Sequence, residues 1–184
     1  AGLLLPIFAK MIKQGDPVVQ MIKLSFTFLF ITAVVVAVSS IFYNHEIMAV
    51  LYHSNTEHSS EILGILMTGF IGIATTYVFG TLLTANGSMK QLNMMAFAGM
   101  VINVSLNLVL IPRYQAFGSA YASLLTQIVT AGAQVILATV VFNLKPNYLF
   151  IIKLLAFAGV TVIFAFISQQ FGNWFYGYTF MIAA

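Results

Sequence analysis

The sequence predicts an all-α fold: a polytopic transmembrane helix bundle of about five full spans, with partial helices at both ends. Three observations predict it. Of 184 residues, 61% are apolar and 6% charged, whereas soluble domains carry about 25% charge. The apolar residues fall in long runs separated by short polar connections. The runs do not alternate apolar with polar, as transmembrane strands of about 10 residues do. Inside hydrocarbon every backbone N–H and C=O needs an internal partner, so helix is the form expected of each run. The same composition excludes a disordered chain, and no Gly period or charged heptad points to a collagen-like or coiled-coil rod.

Five runs approach the roughly 20 residues a spanning helix needs: 24–43, 62–84, 92–112, 117–142 and 147–170, the last most apolar from Leu154 onward. Before them, residues 1–5 read as the tail of a helix, with no basic n-region or cleavage site of a signal peptide. After them, 174–184 is apolar but about half the length of a span. The expectation is an internal piece of a longer membrane protein, most of one lobe. Pro112 is expected to end the third run, because proline breaks the helical hydrogen-bond ladder.

The charges orient the runs. The first connection holds Lys10, Lys13, Lys23 and Asp16, the third Lys90, and the fifth Lys145 and Lys153. The second, 44–61, holds Glu46, Glu57, Glu61 and three His, and the fourth holds Arg113. Six of the seven basic residues thus lie in odd connections, which the positive-inside rule places in the cytoplasm. Trp174, Tyr176 and Tyr178 suit the outer aromatic belt and Tyr148 the inner one. The net charge of +3 forms no dense basic patch, so nucleic acid is not an expected partner.

Polar residues inside spans need partners or water. The fourth run carries Ser119, Ser123, Gln127, Thr130 and Gln134 at helical spacing, on one face. The third carries Asn103 and Asn107, one turn apart, with Gly99 before them. The second carries Gly69, Gly72, Thr76 and Gly80, and the first Ser25, Thr32 and Ser39. For the Gly/Thr stripe close helix packing is the favoured reading, and for the first-run series packing is at least as good. The Ser/Gln/Thr stripe favours a water-filled cavity over packing, because two Gln and three hydroxyls exceed what packing needs. For Asn103 and Asn107 both readings stand. A neutral wall of amides offers donors and acceptors together, which suits sugar hydroxyls better than a bare ion.

Catalysis finds no support. The chain has no Cys. His45, His53 and His58 lack metal-site spacing. No acid falls within a span, and the only cytoplasmic acid is Asp16. No enzyme activity, metal or cofactor is expected.

One stretch carries more than composition. Gly80-Thr81-Leu82-Leu83-Thr84-Ala85-Asn86-Gly87 leads through Lys90-Gln91-Leu92-Asn93 to Val101-Ile102-Asn103-Val104-Ser105-Leu106-Asn107-Leu108-Val109-Leu110-Ile111-Pro112-Arg113-Tyr114, then Ala116-Phe117-Gly118-Ser119-Ala120-Tyr121-Ala122-Ser123 and Thr126-Gln127. It resembles the polysaccharide biosynthesis (O-antigen type) flippases of the MATE-like exporter superfamily, whose C-terminal half pairs an N-x-x-L-N-x-x-L-I-P helix end with a G-x-A-x-A-S/T helix start. Leu5-Pro6 before a basic connection is similar to another segment of that family.

The resemblance implies a two-lobe transporter of which this chain is most of the second lobe, the N-terminal lobe belonging to the same polypeptide. It implies movement of a lipid-linked oligosaccharide of the undecaprenyl diphosphate type across the bacterial cytoplasmic (inner) membrane by alternating access. Polysaccharide polymerase and glycosyltransferases are implied as further partners, beside membrane lipids. Carried onto this sequence, Asn103, Asn107, Ser123, Gln127, Thr130 and Gln134 line the cleft. Lys90 and Arg113, at opposite ends of the third run, meet a headgroup diphosphate or membrane lipid; snorkelling to lipid phosphates is the favoured role. The spans lack the central basic residues related flippases often show. The alternative function is a multidrug or cation antiporter of the same superfamily, for which an acid within a span is expected.

Overall fold

The computed structural model describes residues 3–52, 56–145, 147–170 and 177–179. Six helices follow one another: α1 (Leu4–Gln14), α2 (Val19–Phe42), α3 (Asn44–Leu51), α4 (Thr56–Ala85), α5 (Met89–Val141) and α6 (Tyr148–Ser168). No strand occurs among the described residues. Of these helices, α2, α4, α5 and α6 are long and apolar enough to cross a membrane. The predicted all-α class holds for the described residues, and the four apolar helices are consistent with a helical membrane bundle. The partial span 174–184, apart from 177–179, lies outside the described residues, as do Trp174, Tyr176 and His53.

The chain divides into two compact units, 1–30 with 72–146 and 31–71 with 147–184, the divisions falling inside α2 and α4. In the first unit, α1 ends on Gly15, whose φ of 74° is left-handed. The Gly15 N–H donates to Ile12 O at 3.2 Å and the Asp16 N–H to Met11 O at 3.0 Å, closing the orphan carbonyls of the last turn. The core gathers Phe8, Val18, Ile22, Val78, Phe79, Leu82, Leu83 and Ala138. Phe8 is fully buried, and Phe26 lies 5.5 Å from Phe79, ring centre to ring centre.

Helix α5 has 53 residues. At 1.5 Å per residue a straight helix of that length would run about 80 Å, far beyond a hydrocarbon core of ~30 Å. It is instead two arms, 89–114 and 116–141, broken at Gln115 with φ 50° and ψ −125°. The arms fold back on each other. A Cβ built on Gly118 would lie 2.5 Å from Leu110 C and O. Asn103 contacts Thr126, and Gly99 faces Thr130. These three pairs are centred within a residue of position 114, which is the signature of an antiparallel hairpin. The break falls three residues after Pro112, which stays inside the first arm. Proline removes one N–H from the ladder, but the reversal needs the positive φ that Gln115 supplies. That φ/ψ pair matches the first central residue of a type II′ turn, a glycine position.

In the second unit, Tyr43 and Ser168 join the end of α2 to the end of α6: the Tyr43 hydroxyl donates to Ser168 Oγ at 2.8 Å. Ser168 Oγ donates in turn to Ala165 O at 2.7 Å. Phe42 meets Phe166 edge-on at 5.0 Å, and Tyr43 meets Tyr178 edge-on at 5.8 Å. Two parts of the polar connection 44–61 are helical, 44–51 and 56–61. They form α3 and the start of α4, where Glu57 sits at the positive end of the helix dipole. There Ser60 Oγ donates to Glu57 O at 2.6 Å and lies 3.0 Å from His45 Nδ1.

Candidate functional site: the polar seams of α5

The candidate residues come together on the hairpin and on the part of α4 that belongs to the same unit. The second arm of α5 is a wedge with two polar edges. One edge faces the first arm. Asn103 Nδ2 donates to Thr126 Oγ1 at 3.3 Å, and Thr126 Oγ1 donates to Ala122 O at 2.7 Å. One turn further, Asn107 Nδ2 donates to Asn103 O and Asn103 Oδ1, both at 2.9 Å. Gly99 makes room for the second arm: a Cβ there would lie 3.1 Å from Thr130 Oγ1.

The other edge faces α4. Gly72 takes Gln127, and a Cβ on Gly72 would lie 3.2 Å from Gln127 Cβ and 3.3 Å from its carbonyl. Gly80 takes Gln134, whose Oε1 would lie 2.9 Å from a Cβ at that position. The two contacts keep a nearly constant offset along the chain, so α4 and the second arm run parallel. The Gly stripe of α4 and the Gln stripe of α5 are two halves of one seam. The Ser/Gln/Thr stripe therefore does not present a single open wall. Gln127 and Gln134 turn to α4, and Thr130 turns to the first arm.

Three polar atoms in these seams are buried without a hydrogen-bond partner: Thr76 Oγ1, Asn107 Oδ1 and Gln134 Oε1. Gln134 is 7% exposed. Two of the three border a cavity or its wall. A cavity of about 220 Å³ is lined by Leu5, Thr76, Tyr77, Gly80, Thr81 and Thr84. Within its lining Thr81 and Thr84 donate to Tyr77 O and Gly80 O at 2.5 and 2.8 Å, leaving Thr76 as the unsatisfied hydroxyl. Asn107 opens on a second cavity of about 290 Å³, with Val104, Leu108, Ile111 and Pro112.

The remaining candidates lie apart from these atoms. Ser123 is half-buried on the second arm, and Lys90 and Arg113 are exposed near opposite ends of the first arm. No group of three His, Asp or Glu among the described residues is placed to hold a metal. Sequence reasoning passed over Thr126 as a site residue. Its signal was present: once the reversal is placed near 114, Thr126 is the hydroxyl that falls opposite Asn103.

No family model, curated protein or solved structure matches the chain.

Proposed function

We propose that this chain is part of a membrane transporter that moves a lipid-linked oligosaccharide across the bacterial cytoplasmic membrane by alternating access. In this reading α2, α4, the two arms of α5 and α6 make five spans, with the odd connections in the cytoplasm. The observation that carries the reading is the set of buried, unpartnered polar atoms on α4 and α5: Thr76 Oγ1, Asn107 Oδ1 and Gln134 Oε1. Each such atom costs about 1–3 kcal/mol. A bundle that only anchors has no reason to keep them, whereas a polar ligand or its water offsets that cost.

Amide and hydroxyl groups without a nearby charge select neutral polyhydroxylated groups. The headgroup sugars then meet Asn103, Asn107, Ser123, Gln127, Thr130 and Gln134, and the polyprenyl tail stays in lipid. Lys90 and Arg113 serve the diphosphate or anchor the arm at the two surfaces. The acids nearest a span, Glu57 and Glu61, sit in the first two turns of α4, and none lies in the apolar run 62–84 or in the other spans; this favours the lipid-linked sugar over a cation as cargo.

The test is transport by the full-length protein. Deleting its gene should accumulate lipid-linked sugar on the inner leaflet, and the Gln127→Leu/Gln134→Leu double variant should fail to relieve that accumulation while inserting normally. Normal transport by the double variant would return both residues to packing. No accumulation after deletion would remove the flippase reading.

A further inference from the structure

A third cavity lies beside α1, α2 and α4. It is a groove of about 620 Å³ lined by Leu3, Leu4, Leu24, Ser25, Phe28, Leu29 and Tyr77, from α1, α2 and α4 within the first unit. The volume falls within the 300–1,000 Å³ range of small-molecule pockets. Its walls are apolar side chains apart from the Ser25 hydroxyl and the Tyr77 phenol. Leu24 and Phe28 are 68% and 71% exposed along it, in a helix apolar enough to cross a membrane.

No lysine lines the groove, but three stand beyond its Leu24 end along the chain. Leu24 follows Lys23 directly. Lys10 and Lys13 stand in the last five residues of α1, and four residues join α1 to α2. The chain thus brings three lysines to the connected ends of α1 and α2, against the single acid Asp16. All three lysines are on the expected cytoplasmic side, where basic residues attract anionic lipid. An apolar trough that leads to a basic surface end matches an amphiphile with an apolar chain and an anionic head.

We propose that this groove is a binding site for an anionic phospholipid of the cytoplasmic leaflet, one acyl chain lying along Leu4, Leu24, Phe28 and Leu29 and the phosphate at the Lys10, Lys13 and Lys23 end. The site is distinct from the α4–α5 seams and does not depend on the transported substrate. Tyr77 lies on the groove and also on the 220 Å³ cavity that holds Thr76. Occupancy of the groove therefore bears on one wall of the polar seam, which gives the lipid a route to tune it.

The experiment uses bromine quenching in vesicles. The chain's only tryptophan is removed (Trp174→Phe), and a tryptophan is placed in the groove (Phe28→Trp) or on the exposed second arm of α5 (Val140→Trp). Brominated phosphatidylglycerol is then titrated into phosphatidylcholine. The groove probe should quench and saturate at a low mole fraction of phosphatidylglycerol, while the Val140→Trp probe should follow the bulk mole fraction. Brominated phosphatidylcholine should show no such preference. Adding Lys10→Gln, Lys13→Gln and Lys23→Gln should shift the groove midpoint by roughly tenfold or more, given the attraction of each lysine to an anionic surface. Identical behaviour of the two probes would make the groove ordinary lipid-facing surface. No quenching at the groove by either lipid would mean that protein covers it, and would equally overturn the proposal.

Discussion

The two edges of the second α5 arm use the same residues to opposite ends. Toward the first arm, Gly99 admits Thr130 and the amide of Asn103 finds Thr126. Toward α4, Gly72 and Gly80 admit Gln127 and Gln134, yet Gln134 Oε1 finds no partner. Small residues bring both pairs of helices close, because without a hydrophobic force in lipid the gain comes from contact and interhelical hydrogen bonding. Close approach alone does not satisfy a buried amide. The hairpin seam carries a hydrogen bond between its arms and keeps its spare acceptor, Asn107 Oδ1, beside the 290 Å³ cavity, whereas at the α4 seam the spare groups, Thr76 Oγ1 and Gln134 Oε1, lie where the two helices meet.

Breaking the hairpin should have the largest effect. A side chain at position 118 meets backbone, with Leu110 C and O at 2.5 Å and Ile111 N at 2.9 Å. Backbone on both sides cannot step aside as a side chain does. Gly118→Val should cost about 3 kcal/mol or more, seen as loss of the folded form when unfolding in detergent is followed by circular dichroism. Full stability of this variant would mean that the arms do not close as described.

The α4 seam should answer more softly and unevenly. At Gly72 the first contact is the root of Gln127 and its carbonyl, at 3.2–3.3 Å. At Gly80 it is the far end of Gln134, which can swing away. Gly72→Ala should therefore cost about 1–2 kcal/mol of overpacking. Gly80→Ala should be close to neutral, since moving one amide is cheap and alanine favours helix over glycine by about 1 kcal/mol. Equal losses in the same unfolding assay would contradict the difference between a fixed and a movable neighbour.

Much of this was legible in the sequence, and the limits have physical reasons. Run length and the scarcity of charge predict helices at 24–43, 62–84, 92–112, 117–142 and 147–170, and helices overlap all five, stopping one or two residues short at ends of 24–43, 117–142 and 147–170. Periodicity also picked out Gly72, Thr76 and Gly80 as one face and Gln127 and Gln134 as another. It could not show that the two faces meet, because neighbours in space are not fixed by spacing along one helix. Nor could it divide the second arm into edges, since a stripe drawn through Ser123, Gln127, Thr130 and Gln134 ignores which helix stands on each side. The helix at 44–51 is hidden by its length: eight residues are too few to read as a span, and its polar start, Asn44-His45-Glu46, resembles a loop.

The turn itself offers a gain of intermediate size. Gln115 holds φ at 50°, in a region where residues other than glycine carry about 1–3 kcal/mol of strain. Gln115→Gly should stabilise the hairpin by about 1 kcal/mol, after allowance for the extra freedom glycine has in the unfolded chain. The stabilisation should vanish when combined with Gly118→Val, whose arms cannot close on the relaxed turn. A loss of stability on Gln115→Gly would place the reversal elsewhere.

The smallest effects separate the two seams most sharply. The Asn103–Thr126 bond is long at 3.3 Å, and interhelical bonds in bundles average about 0.6 kcal/mol. A double-variant cycle of Asn103→Leu and Thr126→Val should return a coupling near that value, since each residue is the other's partner across the hairpin. Gln134→Leu should behave in the opposite sense. Leucine removes an acceptor that has no partner, so stability should hold or rise by up to about 1 kcal/mol, part of the penalty for a buried unsatisfied group. If Gln134→Leu is instead destabilised as much as Thr126→Val, the amide is bonded in the folded protein, and the distinction between a closed seam and an open one is lost. If it is stabilised while transport fails, the spare acceptor is kept for cargo and at the expense of stability, as expected of a polar group retained inside a membrane for function.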